Sequence, residues 1–443
     1  MALTRVSPAL FQVSNNITSV TVGGSANTIS LTFDSNGVIT AASNNALSVA
    51  NTLITGNIIS SQIASVNGSV ITANTIANSA IQTGAVENYL NAGGRPLSNR
   101  NLIFNGAMQI AQRSNSVTTI TTNDAVLTAD RWKITTGSLG TWTMNVESNG
   151  PTSTGLRNSS NLICTTANTS PPAGSYLIFK QDMEGQMMQS IKKGTPGAEQ
   201  VTVSFWVKSS NTGTFIAEMI DNDNSRSCSQ SYTINAANTW EKETITFPAD
   251  TTGQLDNDSN RSMELNFWFG AGSTFAGGTL QTSWGASVSN ARAAGQLNLA
   301  NRVGNYIAFT GVQWEVGPVA TPFEFRPYGT ELALCQRYFW KVGGTAAYEQ
   351  IAMGLVDATT QVSCITSFPV AMRAAPSVGY SSASAFNVND AATQPSTTAV
   401  AIYQPGLQTT GITVTSSGLN IGRAARFFIG NSTSAYINFS SEL

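Results

Sequence analysis

The chain has 443 residues, of which only 10% are charged and none is histidine, and its net charge is -2. That balance leaves no basic footprint for nucleic acid or for an anionic membrane surface. The missing imidazoles remove Ser-His-Asp and Cys-His nucleophile pairs and every histidine metal site.

No run of about 18 apolar residues is present to span a bilayer, so no membrane insertion is expected. The four cysteines, Cys164, Cys228, Cys335 and Cys364, have no CxxC spacing, so buried free thiols are expected rather than a zinc site or a disulfide framework. The opening MALTRVSPALF lacks a continuous apolar core with a small-residue cleavage site and does not read as a Sec signal peptide. Ser, Thr, Asn and Gly replace the absent charge, and they favour turns and short strands over long helices. Together these features predict an all-β, modular chain of about three domains or more.

Residues 1–50 read as short strands and turns. Ile17 to Val22 alternates and meets Gly23-Gly24; Thr28 to Phe33 alternates and meets a turn at Asn36-Gly37; Val38 and Ile39 resume the pattern. Residues 51–95 differ. Ile71, Ile76, Ile81 and Val86 recur every fifth residue, a beat that fits neither a helix nor a strand. One such thread buries too little apolar surface to offset an ordering entropy of about 1–2 kcal/mol per residue. The beat therefore predicts an intertwined shaft in which identical chains, as a homotrimer, share the aliphatic stripe; a disordered Ser/Thr/Asn linker is the alternative. Gly93-Gly94-Arg95-Pro96 marks the boundary.

All eight tryptophans lie between Trp132 and Trp340, which places the largest conventional core in residues 96–329. Strands are expected around Trp142, over 201–208, 214–220, 240–247, 263–269 and 307–316, giving an antiparallel sandwich or jelly roll. Alternation sorts the tryptophans by face. Trp142 falls in phase with Met144 and Val146, and Trp314 with Val312 and Val316, so both belong to the core. Trp206 stands beside Lys208, Trp268 beside Glu264 and Asn266, and Trp240 is in phase with Lys242 and Thr244. A flat ring flanked by amides and charges suits sugar, the ring taking the C–H face while its neighbours bond the hydroxyls. Trp206, Trp240, Trp268, Asn266, Glu264 and Lys208 are thus the candidate carbohydrate site; the alternative is that loops or another subunit cover these rings.

Asp221 and Asp223, and Asp256 and Asp258, carry oxygens at alternate positions that calcium could use, but Tyr232 and Phe267 stand where an EF-hand needs glutamate. Turns in which Arg226 and Arg261 answer the carboxylates are expected instead, with no metal and no cofactor. Glu241 and Glu243 share a strand face with Ile245 and Phe247, so they do not form an acid and nucleophile pair, and no catalytic residue is assigned.

Residues 330–443 begin with a short helix, Thr330 as N-cap and Leu332, Cys335 and Phe339 as its buried stripe. Strands follow at 351–357, 361–368, 398–404, 411–416, 425–431 and 435–443, making a C-terminal β-sandwich tip closed by a paired strand.

Several strings resemble known proteins. VSFWVKS and W-x-x-x-T-I-T-F are similar to jelly-roll carbohydrate-binding modules. FTGVQWEVGPVATPFEFRPYGTELALCQRYF, NLIFNGAMQIAQR, ADRW, LTFDSNGVITAASN, IANSAIQTGAV, FPVAMRAAPSV and YINFSSEL resemble tail-fibre, receptor-binding proteins of tailed bacteriophages of marine or cyanobacterial type. The resemblance touches every region but is specific only in the string ending at Phe339. It implies an elongated homotrimeric fibre of the virion, assembled in the host cytoplasm. Its N-terminus would be held by a tail or baseplate component, and its C-terminal half would recognise host surface polysaccharide. It implies no catalytic residues. A tail depolymerase and a secreted cellular glycan-binding module are the alternatives.

Overall fold

The computed structural model describes residues 19–22, 29–33, 39–43 and 98–443, within two compact units, 1–82 and 83–443. In the first unit β1 (Ser19–Val22), β2 (Ile29–Phe33) and β3 (Ile39–Ser43) pair antiparallel in that order. Val22 lies opposite Ile29, and Ser30 opposite Ser43. The Asn36-Gly37 turn and the five-residue beat of 71–86 fall outside the described residues.

The second unit begins with a jelly-roll sandwich. Its strands are β4 (Ser116–Ile120), β5 (Asn123–Val126), β6 (Lys133–Gly137), β7 (Thr141–Glu147), β8 (Ser159–Thr166), β9 (Tyr176–Glu184), β10 (Val201–Ser209), β11 (Gly213–Asp221), β12 (Arg226–Ile234), β13 (Glu241–Phe247), β14 (Arg261–Ala271), β15 (Gly285–Ala286) and β16 (Tyr306–Val316). They form a six-stranded sheet, β13-β10-β16-β8-β7-β4, and a seven-stranded sheet, β15-β12-β11-β14-β9-β6-β5. From β9 onward the chain repeatedly changes sheet, so each sheet's inner face is built from segments distant in sequence. Inward rings interdigitate: Phe205 and Phe309 of the six-stranded sheet meet Phe267 of the other at 4.9 and 4.8 Å between centroids. Trp132 stacks on Phe179 at 4.7 Å. Trp142 and Trp314 are fully buried in this core, as their phase predicts.

The β16 pattern contains a slip in parity. Its core residues are Ile307 and Phe309, then Val312 and Trp314. The register shifts at this point, Trp206 pairing with Thr310 but Ser204 with Gln313. Phe205 therefore opposes two residues, Gly311 and Val312. Gly311 adopts φ +61°, the left-handed conformation that a bulge of this kind asks of glycine.

The tip sandwich comprises β17 (Phe339–Gly343), β18 (Gln350–Ala358), β19 (Gln361–Ser367), β20 (Ser377–Tyr380), β21 (Phe386–Asn389), β22 (Ala399–Tyr403), β23 (Thr409–Thr415), β24 (Ala424–Ile429) and β25 (Tyr436–Ser440). A three-stranded sheet, β17-β25-β20, and a six-stranded one, β21-β24-β18-β19-β23-β22, enclose a second core that includes Val356, Cys364, Phe427, Ile437 and Phe439. Among the described residues helices are few and short: α1 (Ser273–Ala276) and α2 (Tyr328–Gln336), besides 3-10 turns. None is long and apolar enough to cross a membrane. All four cysteines are free and buried.

Helix α2 departs from expectation. It starts at Tyr328 directly after Pro327, so Thr330 lies inside it and is not the cap. Proline has no N–H to donate and its ring bars the helix from continuing upstream. Phe339 is buried in β17 rather than on the helix. The acidic turns are corrected likewise. Asp221 binds Lys193, and Arg226 turns to Asp250 and Arg261 to Glu264. Among the described residues no cluster of acidic or thiol groups is placed to hold a metal.

Buried charge joins the two sandwiches. Arg337 grips Glu184 with two bonds of 2.8 and 2.7 Å, and the Tyr338 hydroxyl donates to the same carboxylate. Arg131 pairs with Glu442 and lies 3.5 Å from the Tyr338 ring centre. Arg113 reaches Glu442 at 2.9 Å and Asp130 at 3.5 Å. Burial, opposed by Arg113 and Gln112, pushes the Asp130 carboxyl up to about 6.

Two outcomes follow from this architecture. A Cβ on Gly311 would sit 2.5 Å from Leu156 Cδ1, so Gly311→Ala is expected to lower stability by about 1–3 kcal/mol, read as a reduced urea midpoint by tryptophan fluorescence. A carboxyl whose pKa rises on folding favours the native state fully below its unfolded value and loses that contribution as pH climbs through its folded one. Asp130→Asn is therefore expected to flatten the fall in stability between about pH 4 and pH 6; an unaltered slope in pH-dependent urea titrations would count against this assignment.

Candidate functional site

Alternation on the seven-stranded sheet sends one set of side chains to the core and the other to the outer face. On β14 Met263, Leu265, Phe267 and Phe269 enter the core, leaving Glu264, Asn266 and Trp268 outside. Pairing then builds cross-strand rows. Glu218, Asn266, Lys180 and Lys133 lie side by side across β11, β14, β9 and β6, and Ile216, Trp268, Ile178 and Thr135 form the next row.

This outer face carries charge in matched amounts. Lys180 meets Asp182 at 3.2 Å and Glu264 at 3.4 Å; Lys133 meets Asp182 at 3.0 Å and Asp124 at 3.6 Å. Arg261 meets Glu264 at 3.3 Å. Arg292 grips Glu218 at 2.7 and 2.9 Å, and Trp268 Nε1 donates to the same carboxylate at 2.9 Å. Burial opposes the Lys180 ammonium, but Asp182 and Glu264 outweigh it and hold its pKa above the ordinary lysine range. Burial likewise opposes Arg292, and Glu218 prevails. Four cations thus face four carboxylates, and the surface is locally neutral.

Into it opens a cleft of about 360 Å³, lined by Thr135, Tyr176, Ile178, Lys180, Ile220, Asn222, Glu264, Asn266, Trp268, Phe275 and Arg292. Tyr176 and Phe275 meet edge to face at 5.7 Å and form its aromatic wall. Asn266 is 1% exposed and donates to Glu218 at 3.2 Å, yet its Oδ1 has no partner in the protein. Asn222 Nδ2 is equally unpaired. One acceptor and one donor therefore stand unsatisfied in the same cleft, each costing about 1–3 kcal/mol unless something else bonds it.

The six predicted site residues divide. Glu264, Asn266 and Trp268 line the cleft, but Trp268 is fully buried and is no open platform. Phe275 of α1 and Arg292 lie over it at 5.5 and 5.1 Å. Alternation names the face a ring takes and is silent on what folds over it; here the excursion from Ser273 to Leu297 supplies the cover. Trp206, Lys208 and Trp240 are half-buried on the outer face of the six-stranded sheet, with the whole core between them and the cleft. Trp206 stands opposite Lys242, and Trp240 Nε1 donates to Asn149 O at 3.1 Å. The predicted set is therefore two patches on opposite faces. Sequence reasoning missed Tyr176, Lys180, Asn222, Phe275 and Arg292. Strand β9 did carry a signal: Tyr176, Lys180 and Asp182 alternate, although apolar residues on both faces obscure it.

No protein-family model matches the chain, and no curated protein matches it. Among solved structures it is similar to the enzymatically active domain of bacteriophage CBA120 tailspike protein 4, at 17% identity over 49% of this chain and 21% of that one, with a TM-score of 0.25. It is similar to TmCBM61 in complex with β-1,4-galactotriose, at 12% identity over 49% of this chain and 99% of the module, TM-score 0.25. A family 11 carbohydrate-binding module from Clostridium thermocellum, in complex with a β-1,3-1,4-mixed-linked tetrasaccharide, gives 12% identity over 47% of this chain and 99% of the module, TM-score 0.25. The chain thus spans about a fifth of the tailspike domain and nearly all of each module.

Proposed function

We propose that the second unit binds glycan in the cleft of the seven-stranded sheet. The observation that carries this reading is the pairing of an unsatisfied acceptor, Asn266 Oδ1, with an unsatisfied donor, Asn222 Nδ2, beside an aromatic wall. A hydroxyl both donates and accepts, and a sugar ring offers hydroxyls beside an apolar face. Because every charged group here is internally answered, the ligand is a neutral sugar rather than an ion. The cleft carboxylate Glu264, and Glu218 behind it, are held by Arg261, Lys180 and Arg292. That commitment to ion pairs supports binding without cleavage.

The wider reading is a homotrimeric phage tail fibre that attaches the virion to host surface polysaccharide, its N-terminal segment held by the tail. Its supports are the sequence resemblance, the five-residue aliphatic beat and an uncovered apolar patch on the tip. Met353 and Ile365 are cross-strand neighbours, each 67% exposed, and Leu355 is 52% exposed. Three such side chains together suit contact with further copies of the chain.

On a glycan array Tyr176→Ala and Asn266→Ala are each expected to weaken binding at least about tenfold, with Trp206→Ala unchanged; binding indifferent to both cleft variants would overturn the site. Light scattering is expected to give three times the 46.5 kDa chain mass. A single-copy particle would remove the fibre reading and leave the cleft untouched.

A further inference from the structure

A larger opening lies at one end of the first sandwich, away from the cleft and built from other elements. About 840 Å³ in volume, it is lined by amides and hydroxyls, among them Ser210, Asn211, Asn238, Asn301 and Tyr306, with Arg302, and by no acidic residue. Its walls are fixed. Asn305 Nδ2 donates to Leu299 O at 3.0 Å and to Asn301 Oδ1 at 2.7 Å. Asn238 is held by its N–H on Ser209 O at 2.7 Å, and its side chain accepts from the Tyr306 hydroxyl at 2.8 Å.

The electrostatics differ in kind from those of the cleft. Arg302 is exposed, and no carboxylate pairs with it among the described residues. At the rim the Lys208 ammonium also lacks a carboxylate partner and sits 5.1 Å from the Trp240 ring centre and 6.0 Å from that of Tyr306. Glu241, which strand pairing sets opposite Val207, is engaged by Asn235 and by the Ala236 N–H. One unanswered cation, Arg302, a fixed ring and a lining of amides thus share one opening, and a second, Lys208, stands beside that ring. Cations select a negative group, while the ring and amides select a polyhydroxylated body.

We infer that this loop-end pocket is a second binding site, distinct from the cleft, for a carboxylate-bearing sugar unit of the uronic acid type. Arg302 and Lys208 take the carboxylate, Tyr306 lies against the ring, and the asparagine amides bond the hydroxyls. Lys208, which alternation singled out, then acquires a role beside this pocket rather than in the cleft.

Calorimetry on the full chain tests this with methyl β-D-glucuronide, methyl β-D-glucoside and acetate as probes. The glucuronide is expected to bind at least about fivefold more tightly than either of the others. Its affinity should fall at least about threefold between about 50 and 500 mM salt, and Arg302→Gln and Lys208→Gln should each weaken it. Tyr176→Ala, in the cleft, should leave it unchanged, so failure of one site is distinguishable from failure of the other. Equal affinity for glucuronide and glucoside, acetate binding as well as glucuronide, or indifference to both charge variants would each overturn the proposal.

Discussion

A single run of buried charge along β9 holds this molecule's working parts in register. Lys180, Asp182 and Glu184 are all at most 6% exposed, and each would be ruinous alone, since removing one partner of a buried ion pair costs about 3–5 kcal/mol. Together they are answered: Lys180 and Lys133 by Asp182 and Glu264, Glu184 by Arg337. Arg131 also donates to Asp182 O at 2.6 Å. One strand therefore carries the cleft's aromatic wall at Tyr176, its charged floor at Lys180, and the joint to the tip at Glu184. Hydrophobic burial makes the sandwich, but this ladder of charge fixes where the tip docks on it.

The same bookkeeping separates the two openings by chemistry. On the seven-stranded sheet the charges answer one another, and what remains open is a pair of amide atoms wanting hydroxyls. At the loop end Asn305 holds Asn301 and the Tyr306 hydroxyl holds Asn238, and positive charge stands without a carboxylate beside them.

Much of the fold was legible because strands announce themselves by period. The in-phase sets around Trp142 and Trp314 located the core, and VTVSFWVK and MELNFWF gave both faces of β10 and β14. Three things were not legible. The excursion from Ser273 to Leu297 has no period, so nothing foretold that Phe275 and Arg292 would roof Trp268. Sheet membership is not written in any one strand, so Trp206 and Trp268, alike in pattern, proved to lie on opposite faces. Ion-pair partners depend on the folded neighbourhood: Arg226 turned from its own acidic turn to Asp250, in the loop after β13, and Arg261 to Glu264, three residues on along its own strand.

Strand β25 lies between β17 and β20, pairing Ser440 with both Phe339 and Ser377, although both neighbours precede it in the chain. Until Tyr436–Ser440 leaves the ribosome, two earlier strands expose raw backbone edges with nothing between them, and such long-range closure is slow. Maturation of the tip consequently waits on this strand, and the nascent protein is most vulnerable to wrong pairing just before it emerges.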